Sequence, residues 1–269
     1  MNSVTNNLFK QAFDCLLLED PEEKAKAALA LYADCLAGSI NLDSMSKVEP
    51  LPVPGRPDKP ELVDPREVPR RNFTTLKGRL TLVHAIAHIE FNAINLALDA
   101  VYRFQNMPEQ YYLDWCRVAA EEAQHFTMLS DYLEQHGMSY GDLSAHNGLW
   151  EMAVKTDADV LTRMALVPRV LEARGLDVTP TMIEKLKSTG DTALIAILQK
   201  IFDEEIGHVK IGSYWYKTLC KERGLEAEDT FLQLIEEFME GAKFGPFETE
   251  ARLEAGFSKV ELQRLMSHF

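Results

Sequence analysis

The sequence predicts an all-α protein whose core is a four-helix bundle. Four stretches place apolar residues at intervals of three and four, the period of a helix with one buried face. Each stripe is interrupted by glutamate, and two of them carry a Glu-x-x-His tetrad, Glu122-Ala-Gln-His125 and Glu205-Ile-Gly-His208. Residues three apart share one side of a helix, so each tetrad aims a carboxylate and an imidazole at one point. The spacing adds a third observation. Glu90 precedes Glu122 by 32 residues, Glu172 precedes Glu205 by 33, and His125 and His208 are 83 apart, so the second half of the core repeats the first. No other histidine has glutamate three positions before it.

Taken in order, residues 1 to about 42 read as helical, with Leu8, Phe13, Leu16, Leu17, Ala28 and Leu31 in helical spacing and Pro21 placed to start a second helix after Asp20. From Val48 to Pro69 seven prolines exclude a helix interior and predict an extended strap, either linker or wrapping arm. The four core helices are expected at about 73–105, 108–136, 148–174 and 191–223. Their ends are signalled by Pro108, Gly137, Gly175 and Gly224. Thr179-Pro180 reads as the cap and first position of a short extra helix, and Ala227–Met239 as another helix. Gly241 to Gly256 reads as loop, and Ser258-Lys-Val-Glu261 as the capping box of a last short helix. The expected organisation is a single domain in three segments: 1–72 packing on the bundle, 73–224 forming it, and 225–269 as a helical extension.

Each candidate ligand lies within an apolar seam. The first seam is Val83, Ala87, Glu90, Ile94, Ala97 and Val101; the second is Trp115, Val118, Glu122, His125, Leu129 and Tyr132. The fourth runs Leu194, Leu198, Ile201, Glu205, His208, Gly212, Trp215 and Leu219. The third, Ala158, Leu161, Ala165, Pro168 and Glu172, is the least regular. Burying four carboxylates uncompensated costs several kcal/mol per ion, against a domain stability of only ~5–15 kcal/mol. Two divalent cations neutralise four glutamates, and two neutral imidazoles complete the donor set of a di-metal carboxylate bundle. One-electron oxidation of both ions would call for two further negative charges, which oxygen-derived bridges supply. Mixed oxygen and nitrogen donors suit iron or manganese, where a soft site would use thiolates. The cofactors expected are therefore two metal ions, iron and/or manganese, held by Glu90, Glu122, His125, Glu172, Glu205 and His208.

Composition bounds the rest. With 269 residues, 46% of them hydrophobic, the chain can bury a substantial core. No apolar run approaches the ~20 residues of a membrane span. The patch Phe13–Leu18 is broken by Asp14 and followed by Glu19 and Asp20, unlike a signal peptide, so a cytoplasmic location is the default expectation. Cys15, Cys35, Cys116 and Cys220 are scattered and read as free thiols; the absence of Cys-x-x-Cys argues against a rubredoxin-type or zinc knuckle. A net charge of −14 disfavours nucleic acid and anionic membrane as partners. Against that background Arg66, Arg70, Arg71, Lys77 and Arg79 form a basic stretch; a solvated face is the plain reading, and Arg70 and Arg71 are the candidate grip on an anionic substrate.

Other residues near the seams carry secondary expectations. Pro168, one turn before Glu172, removes a backbone bond and should kink the third helix. His84 and His88 project well over 100° from Glu90 at ~100° per residue and are expected as satisfied histidines rather than ligands. Trp115, Tyr132 and Trp215 are expected as packing.

The six ligand positions resemble the pattern of the ferritin-like superfamily. The strings His84-Ala-Ile-Ala-His-Ile-Glu90, Asp114-Trp-Cys-Arg-Val-Ala-Ala-Glu-Glu-Ala-Gln-His125 and Met164-Ala-Leu-Val-Pro-Arg-Val-Leu-Glu-Ala-Arg-Gly175 are similar to a bacterial ferritin-like family of unassigned function, over nearly the whole chain. The resemblance implies a ferritin-like bundle with a di-metal centre and no particular substrate. The leading expectation is a di-iron or iron–manganese oxidase or oxygenase acting on a small organic substrate with dioxygen. Glu90 and Glu172 would be terminal ligands, Glu122 and Glu205 bridges, and His125 and His208 one nitrogen donor per metal. Electrons would come from an external donor, since no flavin, haem or iron–sulfur motif is present. Iron handling or peroxide removal, as in ferritins and rubrerythrin-like proteins, is the alternative. A tRNA-modifying hydroxylase-like protein and a non-catalytic metal-stabilised protein are further alternatives. Assembly separates the first two: a storage cage needs many subunits, whereas an enzyme is expected as a monomer or homodimer.

Overall fold

The computed structural model describes residues 6–43, 47–242 and 244–268. Among the described residues all extended regular structure is helical, and strand pairing is limited to the isolated bridges Asn7–Asn41 and Leu62–Ala145. The chain divides into two compact units, Met1–Val154 and Lys155–Phe269.

In the first unit, α1 (Leu8–Leu17) and α2 (Pro21–Leu36) form a corner. Asp20 caps α2 by accepting from Glu23 N at 2.9 Å, with Pro21 in the first turn, where a missing N–H costs nothing. The long helices α3 (Leu76–Arg103) and α4 (Glu109–Gln135) follow and pack on each other, with α1 against α3 and α2 against α4. Thr75 starts α3 by accepting from Gly78 N at 3.1 Å, and Gly137, at φ +75°, follows the end of α4. The proline-rich segment is a strap laid on the unit. Gly55 N donates to Leu16 O at 2.8 Å, and Trp150 Nε1 donates to Pro52 O at 3.1 Å. Val63 N donates to Ala145 O, which extends the bridge beside it. Lys24 is fully buried beneath this strap. Its ammonium donates to Leu16 O (3.1 Å), Gly55 O (2.6 Å) and Asn95 Oδ1 (2.5 Å), joining the α1–α2 corner, the strap and α3.

The expected third helix is where the structure departs most from the sequence reading. Residues 148–174 are not one helix. α5 (Gly148–Lys155) stops, Ala158 is exposed outside any helix, and Asp159 restarts the chain by accepting from Thr162 N at 3.2 Å. α6 (Val160–Leu166) then passes through a π turn, Val167–Glu172, directly into α7 (Ala173–Lys187). Gly175 does not end this helix, and Pro180 lies inside α7 rather than opening a separate one. Glycine in a helix costs only ~1 kcal/mol, which burial of Leu176, Ile183 and Leu186 offsets.

α8 (Thr192–Arg223) packs along α6, the π turn and α7, and ends at Gly224 in the left-handed conformation, φ +66°. α9 (Ala227–Phe238), α10 (Thr249–Glu254) and α11 (Lys259–His268) complete the unit. The stretch read as loop between Gly241 and Gly256 therefore contains α10, a short helix held by the Arg252–Asp177 ion pair at 2.7 Å. The capping box forms as expected: Ser258 N donates to Glu261 Oε2 at 3.2 Å and Glu261 N donates to Ser258 Oγ at 2.9 Å.

Candidate metal centre

In the first unit the close packing of α3 on α4 places Glu90, Glu122 and His125 together, with one donor atom from each within 4.8 Å of the others. Every residue of both seams that carry them is buried. His125 Nδ1 lies 3.1 Å from Glu90 Oε2 and 3.3 Å from Glu122 Oε2. Burial, reinforced by the neighbouring Glu122, pushes the Glu90 carboxyl up to about 8. Burial works against a charged His125, yet its hydrogen bonds to Glu122 and Glu90 outweigh that and hold the imidazole well above its ordinary value. This carboxyl–imidazole set therefore keeps protons at neutral pH. A divalent cation is the natural replacement for them, because it satisfies the same oxygens and nitrogen at once.

The second unit carries the matching set on α8. Glu205 is 8% exposed and His208 fully buried, within a seam from Leu194 to Leu219 whose residues are all buried. Glu205 Oε1 lies 3.4 Å from His208 Nδ1, and Glu205 Oε2 is buried with no hydrogen-bond partner among the described residues. A buried carboxylate oxygen left without a donor is costly, which fits a ligand atom. Glu90, Glu122, His125 and Glu205 are all buried and offer donor atoms suited to a metal ion.

Glu172 closes the π turn and is half-buried, with one carboxylate oxygen sealed from solvent. The turn explains why the third seam looked irregular. A π turn inserts an extra residue into the helical repeat, so counting in threes and fours from Leu161 misplaces Glu172. Pro168, expected to kink the helix, is the second residue of this turn. It can adopt that place because α8 yields room: a Cβ on Gly212 would lie 2.3 Å from Pro168 Cγ.

His84 and His88 are buried and engaged elsewhere. His84 Nε2 accepts from Gly141 N at 2.9 Å. His88 Nε2 donates to His146 O at 3.1 Å, leaving Nδ1 to accept from Tyr140 O–H at 2.9 Å. Burial lowers both imidazoles to about 4, so they stay neutral and fasten the chain after α4 onto α3. Tyr140 in turn packs on Phe91 and Phe126, the residues beside Glu90 and His125. Its only signal in sequence is its place in a turn. Arg70 and Arg71 stand exposed ahead of α3.

The second unit also holds a buried cation that periodicity does not flag. Arg169, in the π turn, is fully buried, ion-paired with Glu261 and hydrogen-bonded to Ser213 Oγ at 3.3 Å. Its guanidinium lies 4.1 Å from the Phe231 ring centre and 4.5 Å from that of Tyr216. The turn is thus clamped three residues before Glu172, which fixes where that carboxylate begins.

Among the described residues no helix is long and apolar enough to cross a membrane. An uncharacterized protein of Haemophilus influenzae is 43% identical over 272 residues, covering 97% of this chain and 94% of that protein. No solved structure matches the chain. Residues 17–263 match the family described as "Protein of unknown function (DUF455)", and the chain belongs to that family.

Proposed function

We propose that the protein is a di-metal carboxylate oxidoreductase on a ferritin-like four-helix bundle, with iron and/or manganese as the resident metals. In this reading the metal ligands are Glu90, Glu122, His125, Glu172, Glu205 and His208. The observation that carries it is the repeated set: a buried carboxyl pair with an imidazole on α3 and α4, and a buried Glu-x-x-His with an unsatisfied oxygen on α8. Four carboxylates and two imidazoles match two divalent cations in charge, and the donors are of the hard and borderline kind that iron and manganese favour. Bound there, the metals supply one-electron redox chemistry for activating dioxygen. The chain's own residues hold the ions rigidly within apolar seams that exclude water, and the π turn at Pro168 sets the approach of Glu172. The substrate in this reading is a small organic molecule, and electrons arrive from an external donor.

Elemental analysis of protein purified without added metal tests the centre directly. About two iron or manganese ions per chain are expected. His208→Ala should lower occupancy of at least one position, whereas unchanged metal content at equal purity would remove His208 from the ligand set. Consumption of dioxygen by the reduced protein distinguishes an oxidase from a protein that only retains metal. Absence of metal after anaerobic reconstitution with ferrous iron would defeat the reading.

A further inference from the structure

The second unit contains a recess of about 190 Å³, partly open to solvent, that none of the six residues of the candidate metal centre lines. It lies where the π turn meets α9, α10, α11 and the segment ahead of α10. The apolar wall is Val170 of the π turn, Phe231 and Ile235 one turn apart on α9, Phe244 and Phe247 ahead of α10, and Leu265 on α11. Two cations, Arg169 and Arg252, line it as well.

The cations differ in what they have left to donate. Arg252 is held bidentate by Asp177, Nε at 2.8 Å and Nη2 at 2.7 Å, and its guanidinium lies 4.7 Å from the Phe247 ring centre, so it fixes a wall. Arg169 is fully buried in the π turn. Its Nε donates to Ser213 Oγ at 3.3 Å and its Nη2 to Glu261, while Nη1 is buried with no hydrogen-bond partner among the described residues. The donor that Arg169 has to offer the recess is therefore Nη1. A buried charged donor left unmet is costly, so this corner of an otherwise apolar recess calls for an acceptor.

We propose that the recess binds a small apolar molecule through one neutral carbonyl oxygen, which accepts from Arg169 Nη1. The lining selects that oxygen from the alternatives. Each guanidinium already has its own carboxylate, Glu261 or Asp177, so a ligand anion would enter beside Glu261 with no charge left to match it. An alcohol could accept from Nη1, but its own proton would need an acceptor, and the side chains lining the recess are guanidinium donors and hydrocarbon. A pure hydrocarbon would leave Nη1 unmet. A carbonyl oxygen accepts and has nothing to donate. The space equals the share of liquid volume of about six waters, which limits the body to a small ring or a short branched chain.

NMR titration of the full-length protein with four probes of similar size tests this: cyclohexanone, cyclohexanol, methylenecyclohexane and cyclopentanecarboxylate. Cyclohexanone should bind saturably, and each of the others about tenfold or more weakly. Arg169→Gln combined with Glu261→Gln removes Nη1 without stranding a buried charge, and in that protein the preference for cyclohexanone over methylenecyclohexane should vanish. Phe247→Ala leaves the Arg169–Glu261 pair intact and changes only a half-buried wall, so it keeps the test open if the double variant does not fold; it should weaken cyclohexanone binding several-fold through lost apolar contact. Equal binding of cyclohexanone and methylenecyclohexane, tighter binding of the carboxylate, or no binding of cyclohexanone would overturn the proposal. Unchanged cyclohexanone affinity in Phe247→Ala would do the same.

Discussion

Gly212 is the residue on which the shape of the π turn depends most directly. A methyl group there would sit 2.3 Å from Pro168 Cγ and 2.4 Å from Pro168 Cβ, and a proline ring cannot rotate out of the way. Gly212 is helical and not in the left-handed region, so its role is close approach rather than a special backbone angle. Gly212→Ala, a substitution that on propensity alone would stabilise a helix by up to ~1 kcal/mol, should instead destabilise the protein by about 1–3 kcal/mol through overpacking. Urea denaturation of the two proteins at equal metal content checks this; an unchanged or higher midpoint would mean that Pro168 does not press on α8. In the di-metal reading His208, one turn earlier on the same helix, is a ligand, so the variant should also bind metal less well.

At the scale of elements, α11 is fastened by one side chain serving two partners. Glu261 accepts from Ser258 N through one oxygen and pairs with the buried Arg169 through the other. Ser258→Ala removes a cap, an effect of about 1 kcal/mol, together with its hydroxyl bond to Glu228. Glu261→Ala strands a guanidinium with no solvent access, which costs about 3–5 kcal/mol. Chemical denaturation should therefore rank the loss for Glu261→Ala well above that for Ser258→Ala, and equal losses would show that the ion pair contributes nothing beyond the cap.

The contrast also shows what could be read from sequence. The cap involves residues three apart, and local pattern found it. The seams of α3, α4 and α8 were legible for the same reason, since a uniform helical repeat keeps each buried Glu or His in step with its apolar neighbours. The Arg169–Glu261 pair spans 92 residues and Arg252–Asp177 spans 75, so no local pattern encodes either. The π turn alters the repeat itself, and for that reason the third helix was misjudged at both ends: stopped at Gly175, although burial carries it on to Lys187, and begun at 148, although Asp159 restarts it.

For the molecule as a whole, a chain of net charge −14 that buries several of its carboxyl groups in its core has a stability that depends on how those groups are neutralised. Without metal the neutralising agents are protons. Glu90 is raised to about 8 in the folded protein from an ordinary value of 4.5, so between those limits the folded state binds more protons than the unfolded chain. Stability of the metal-free protein must then fall as pH rises through that window. His125 acts in the same direction: its raised value contributes stability that is fully present below 6.5 and lost as pH climbs through the folded value. In the di-metal reading a bound cation takes the place of these protons, and its uptake should release them. In the di-metal reading the metal-loaded protein escapes the loss. The melting-temperature gap between loaded and metal-free protein should therefore widen from about pH 5 to about pH 8, and Glu90→Gln, which carries no charge at any pH, should flatten the metal-free curve over that range. Paired scanning calorimetry at constant ionic strength measures both. A gap that stays constant or narrows would mean that metal does not replace protons at Glu90 and His125, and would detach the α3–α4 set from the metal centre.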